Sequence, residues 1–225
     1  MVPDFLHILY TSNLRGDLDM LPRLQTFIRY LKSLPVDDED DVMICAVQPQ
    51  TPRVFMLDLG HACAPDVWHC KATDGRSTLI ALDAMGYHAA NVADSLTPES
   101  RIRLRDNLLG MALVDSNTDW SHDDLNFTSR RGGSQTTPSQ TYPPFNINLT
   151  PASVTEITSN VLQLADVQAG QAGTAQVSFL TGSPRLIAHG IFDLPTNTAP
   201  DPTIAATVDF IRNEARFYSR NHSQN

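Results

Sequence analysis

Two short stretches of the chain hold residues whose types and spacing could do chemistry. The first is "FLHILYTSNLRGDL", Phe5 to Leu18. Leu6, Ile8 and Tyr10 alternate with His7, Leu9 and Thr11, the period of a strand, and the strand stops at a polar turn closed by Gly16. A strand running into a glycine turn ahead of a helix is where α/β proteins place their chemistry. The turn carries Ser12, Asn13 and Arg15. Asn13 and Arg15 can receive an anion such as phosphate beside a helix N-terminus. Arg15 can equally pair with a nearby acid: Asp17, Asp58 or Asp94. The second stretch, "HACAPDVWHC", gathers His61, Cys63, His69 and Cys70. These are soft ligands of the kind structural zinc takes in fours, but H-x-C-x5-H-C matches no standard zinc spacing. The other reading is a loop with a buried free thiol and partly exposed rings. Asp94 and Ser95, with His61 or His88 as base, have the residue types of a nucleophile site, but no G-x-S-x-G elbow surrounds Ser95. His7 and His189 read as core or edge histidines.

The elements that must position these residues alternate. Asp19 can cap a helix with Pro22 in its first turn and Leu21, Leu24, Phe27, Ile28 and Leu31 on one face. The acidic run 37–41 reads as a solvated loop. "VMICAV" and "RVFMLDLG" are strand-like runs around "QPQTP". Asp74 or Ser77 opens a second helix that stops at Gly86, and "YHAANV" reads as a buried strand. Thr97-Pro98-Glu99 opens a third helix carrying Ile102, Leu108 and Leu109 and leading into "MALV". This alternation predicts an α/β layered domain with a largely parallel sheet. The loops Ser12–Gly16, His61–Gly75 and Ala93–Pro98 then share one sheet edge. Residues 115–144, rich in Ser, Thr, Asn, Gly and Pro, read as a long irregular insertion loop. "FNINLT" follows as a strand. "VLQLADV", "GTAQVSFL" and "RLIAHGIFDL" read as antiparallel strands, two of them joined around Gly170 and Gly173. Asp201-Pro202 caps a last helix with Ile204, Val208, Ile211 and Ala215 on one face.

Composition limits the function. At 225 residues with 41% apolar content, the expectation is one soluble domain, 1–225. A net charge of −9 argues against nucleic-acid and anionic-membrane partners. No apolar run approaches the roughly 20 residues of a spanning helix, and the N-terminus has no signal-peptide pattern. Three cysteines, Cys45, Cys63 and Cys70, fit a reduced, cytoplasmic protein.

"ILYTSNLRGDLDMLPRLQTFIRYLK", "RVFMLDLGHA", "GRSTLIALDAMGYHAANVADS" and "VQAGQAGTAQVSF…PDPTIAATVDFI" fall in an order that resembles the calcineurin-like metallophosphoesterase domain of the 5′-nucleotidase family. The match covers most of 5–98 and, more weakly, 165–212; "ALDAMGY" is its most specific piece. The resemblance implies a layered α-β-β-α sandwich with its second half trimmed. It also implies a lost dinuclear centre. Asn13 and Arg15 stand where the family places Asp and His, His61 stands for the bridging Asp, and Asp94, Ser95 and Leu96 for Asn-His-Glu. No G-H-x-H follows. A bridging carboxylate reaches two ions roughly 4 Å apart, and an imidazole does not. Arg15 has no lone pair and repels a dication. The expectation is therefore a non-catalytic binding or interaction module without cofactor. Asn13, Arg15, His61, Asp94 and Ser95 would form a degenerate site for a small anionic ligand or a protein. The competing expectation is a phosphoesterase using a rearranged site of His61, Asp94 and a cysteine.

Overall fold

A computed structural model of the chain describes residues 4–34, 52–93, 95–107, 110–129 and 145–222. Asp94, the acidic run 37–41, "VMICAV" with Cys45, and Leu108 and Leu109 lie outside the described residues.

The first strand, β1, is Phe5–Thr11. It leads to helix α1 (Leu21–Ser33), strand β2 (Arg53–Asp58), helices α2 (Trp68–Ala72) and α3 (Arg76–Ala84), and strand β3 (Ala89–Asn91). Helix α4 (Pro98–Asn107) and strand β4 (Ala112–Val114) complete the first half. Six strands follow before β11: β5 (Trp120–His122), β6 (Leu125–Thr128), β7 (Phe145–Ala152), β8 (Glu156–Thr158), β9 (Val161–Ala165) and β10 (Gln171–Ser178). Strand β11 (Arg185–Asp193) and helix α5 (Pro202–His222) close the described chain. One sheet runs β11-β10-β1-β2-β3-β4, and the second runs β5-β6-β7-β9-β8. β1 to β4 are mutually parallel, as the alternation of elements requires, while β10 joins β1 antiparallel.

The fold is thus an α/β layered sandwich of two sheets. β1 is buried on both faces because it separates two cores. Leu9 and Met56 face Leu21, Leu24, Leu82 and Ile211 on the helices. Leu6, Ile8, Tyr10 and Phe55 face Phe127, Ile147 and Leu164 on the second sheet. The described residues fill three layers, helices, sheet and sheet, in keeping with a trimmed second half.

Several local expectations are corrected. Asp19 does not cap α1; Asp17 Oδ1 accepts the Met20 N–H at 3.1 Å, and Asp19 pairs instead with Arg212. In α4 the buried apolar residue is Leu104, and Ile102 is exposed. β9 and β10 are not joined as a hairpin around Gly170 and Gly173: they lie in different sheets, and β9 pairs parallel with β7. Residues 115–129 are not irregular. Asp115 is buried and accepts the Asn117 N–H at 2.7 Å, and β5 and β6 follow with Leu125 and Phe127 fully buried. Three apolar side chains at alternate positions, Leu125, Phe127 and the half-buried Trp120 across the pair, are enough to define a sheet face despite polar neighbours. Residues 130–144 lie outside the described set.

Gly173 lies within β10, directly opposite Tyr10. A Cβ at that point would stand 2.1–2.5 Å from three Tyr10 ring atoms. Overpacking of this kind costs about 1–3 kcal/mol. Gly173→Ala is expected to lower the urea midpoint accordingly, and adding Tyr10→Leu to it should recover part of the loss. A midpoint unchanged by Gly173→Ala would contradict this packing.

Candidate functional site

The loops after β1 and β2 lie side by side, tied backbone to backbone. Leu59 N–H reaches Thr11 O at 2.8 Å, Asn13 N–H reaches Gly60 O at 3.0 Å, and Arg15 N–H reaches His61 O at 2.9 Å. Gly16 N–H then reaches Ala62 O at 2.9 Å. This zipper forces left-handed backbone at three non-glycine residues: Asn13 (φ 55°), Arg15 (φ 52°) and His61 (φ 58°). Such backbone costs of order 1–3 kcal/mol for most residues and concentrates at functional sites, Asn tolerating it best. The sheet-edge placement read from the sequence therefore does bring Asn13, Arg15 and His61 together.

The polar groups at this edge are largely engaged with each other. Ser12 Oγ donates to Asp166 Oδ1 at 2.9 Å, and Asn13 Nδ2 donates to the same oxygen at 2.8 Å and to Val167 O at 2.9 Å. Asn91 Nδ2 donates to Leu59 O at 3.0 Å and Leu149 O at 3.2 Å, joining the first sheet to the second. Arg15 is exposed. Among the described residues it makes no ion pair: Asp17 is turned to α1, and Asp58 is buried. Its third candidate partner, Asp94, lies outside those residues. His61 is exposed. Ser95 is half-buried, and its Oγ has no hydrogen-bond partner among the described residues.

Beneath the zipper lies a closed polar network. Thr11 Oγ1 donates to Asp58 Oδ2 at 2.9 Å and lies 3.1 Å from the Tyr87 hydroxyl, while Gly60 N–H donates to Asp58 Oδ1 at 3.0 Å. Burial pushes the Asp58 carboxyl up to about 7, with the Thr11 and Gly60 hydrogen bonds opposing the shift. Burial likewise raises the Tyr87 hydroxyl.

A pocket of about 330 Å³ lies at the start of α1, with Asp17, Asp19, Arg23, Gly170 and Thr196 among its lining; Asn13, Arg15, His61 and Ser95 do not line it.

The "HACAPDVWHC" loop divides. His61 stays at the exposed edge, while Cys63, His69 and Cys70 are buried together. Cys63 and Cys70 form a disulfide, with Cα atoms 5.7 Å apart, which corrects the expectation of reduced thiols in this loop. His69 and Cys70 are adjacent in sequence yet both turn inward, because α2 begins at Trp68 and lays its first turn across Gly16. His7 is buried on β1 with Nε2 unpartnered among the described residues, and His189 is exposed on the edge strand β11.

Sequence reasoning passed over Asp166, Asn91 and Tyr87. Asn91, an amide ending an apolar strand, carried a usable signal. Asp166 carried none, because its partners lie 153 and 154 positions away.

No family model matches the chain, and no curated protein matches it. Among solved structures, a match is found to the crystal structure of the calcineurin-like phosphoesterase YfkN from Bacillus subtilis. It covers 96% of this chain and 99% of that chain, at 10% identity and a TM-score of 0.45. At that identity no residue of the neighbour's site transfers to this chain.

Proposed function

We propose that this chain is a single-domain, non-catalytic relative of the 5′-nucleotidase-type metallophosphoesterases, acting in the cytoplasm as a binding or interaction module. The observation that carries the reading is the engagement of Ser12 and Asn13 with Asp166. The side chains ending the first strand, where a two-metal enzyme needs free carboxylates and imidazoles, are hydrogen-bonded to a carboxylate 154 and 153 residues on. Asp166 Oδ1 is held by two neutral donors. Asp58 is buried, and burial favours its uncharged form. Arg15 adds a fixed positive charge to the exposed edge.

The partner that fits this edge is a small phosphate or carboxylate, or an acidic protein segment. Nucleic acid is disfavoured by the net charge of −9. One charge-assisted contact contributes about 1.5–3 kcal/mol, so the affinity for a simple anion is millimolar at best. Chemical-shift titration with phosphate and a nucleoside monophosphate is expected to move Arg15 and Asn13 resonances in the wild type and not in Arg15→Ala. Shifts that survive the substitution, or none at all, count against the anion site. Turnover of phosphomonoesters or phosphodiesters in added manganese would replace the whole reading with the rearranged-site hydrolase using His61, Asp94 and a cysteine.

A further inference from the structure

We propose that Cys63, His69 and Cys70, once the disulfide is reduced, form a buried site for one thiophilic cation, zinc being the natural occupant. The ligand atoms of the three residues lie within 4.8 Å of one another. Tetrahedral zinc, with bonds of about 2.3 Å to sulfur and about 2.0 Å to nitrogen, wants such atoms roughly 3.5–3.8 Å apart. With Cα atoms 5.7 Å apart, side-chain rotation at Cys63 and Cys70 suffices to open that space.

The orientation of His69 is the second, independent observation. Its Nε2–H donates to Gly16 O at 2.9 Å, so the lone pair is on Nδ1. Nδ1 points to Ser77 Oγ at 2.8 Å, and that oxygen is itself 3.4 Å from Cys63 Sγ and 3.8 Å from Cys70 Sγ. A ring nitrogen fixed by a backbone carbonyl, with the other nitrogen turned to the metal, is how proteins set ligating histidines. Ser77 Oγ, fully buried, stands beside all three ligand atoms and can complete the shell or hold a water there. Two thiolates and a neutral ring around a dication sum to zero charge, which suits a site without solvent.

The electron count closes. A dithiol or phosphine reductant delivers two electrons to the disulfide, with two protons making two thiols. Cation binding then releases those two protons and leaves two sulfur–metal bonds. In the reverse direction a two-electron oxidant such as hydrogen peroxide takes both electrons, becomes two waters by accepting two protons, restores the sulfur–sulfur bond and frees the ion. Because Gly16 carries the His69 anchor, the same cluster clamps the Asn13–Gly16 loop to α2 and α3.

The test is elemental analysis of the full chain reduced with a phosphine, loaded with zinc and dialysed. Cobalt(II) absorption serves as a second probe of thiolate ligation. About one zinc per chain is expected in the wild type and in Cys45→Ser, with background zinc in Cys63→Ser and Cys70→Ser. Peroxide should release the ion from the wild type while two thiols disappear. If a cysteine variant does not fold, the reduced and oxidised wild type alone decide. A reduced chain that holds no zinc, zinc retained equally by the disulfide form, or a cobalt spectrum without thiolate bands overturns the site.

Discussion

Phe127→Ala is expected to be among the most damaging single changes in this protein, at about 3–5 kcal/mol, a typical loss for emptying a buried aromatic site. The ring is fully buried. It packs against Phe55 at 5.2 Å and Trp120 at 4.6 Å between ring centroids, and it sits where β6 lies on the first sheet. Small and medium domains hold only about 5–15 kcal/mol in total, so the loss removes a large share of stability. Urea unfolding of Phe127→Ala beside Ile102→Ala checks it. Ile102 is 59% exposed, and its truncation should stay within about 0.5 kcal/mol. Equal midpoints for the two variants would mean that β5 and β6 are not part of the sandwich core.

The second large effect is on pH dependence, through Asp58. Its folded pKa is raised to about 7 from an ordinary 3.8, because the carboxyl is fully buried and its two hydrogen bonds offset only part of the burial. The folded state therefore holds a proton that the unfolded state has released between those values. Stability from this group is fully present below about pH 4 and is lost as pH rises through about 7. The gap corresponds to about 4 kcal/mol at most. Carboxylates such as Asp123, held low by the Arg53 guanidinium, pull in the opposite direction, so the wild-type curve alone does not isolate Asp58. Asp58→Asn does. An amide oxygen can accept the Gly60 N–H as the acid does, and the NH2 can donate to Thr11 once that hydroxyl turns toward Tyr87. The variant should match the wild type near pH 4, gain on it steadily up to about pH 7, and gain no more above that. A stability difference that stays constant across this range would show that Asp58 is ionised in the fold.

The two effects come from the same feature, a first sheet covered on both faces. Covering one face buries Asp58 and Tyr87 beneath the loop zipper. Covering the other draws a polar-looking segment into β5 and β6. Neither consequence is visible at the level of local composition.

Period and punctuation in the sequence were sufficient for β1, α1, β2, α3, β3, α4 and α5. All but α4 are runs whose apolar spacing is matched to one or two buried faces, and most end at a glycine, proline or capping acid; α4 is marked by its cap, Thr97 Oγ1 accepting the Ser100 N–H at 3.2 Å. Asp201 caps α5 as its position before Pro202 requires, with Oδ1 accepting the Thr203 and Ile204 N–H groups at 3.0 Å. Parallel pairing of β1 to β4, and hence the meeting of Asn13, Arg15 and His61 at one edge, also follows from that order, because strand-to-helix loops of a parallel sheet must lie together. Tertiary structure alone decided what those residues do there. Ser12 and Asn13 are bound by Asp166 because sheet stacking brings the end of β9 over the end of β1, a contact between distant positions that local spacing does not encode. The inward turn of both His69 and Cys70 depends on where Gly16 leaves room for α2, since a Cβ at Gly16 would stand 2.8 Å from Cys70 Sγ. The raised pKa of Asp58 is likewise a property of its burial: the same aspartate in the same "LDLG" would titrate normally if the helix layer and the zipper did not exclude water from it.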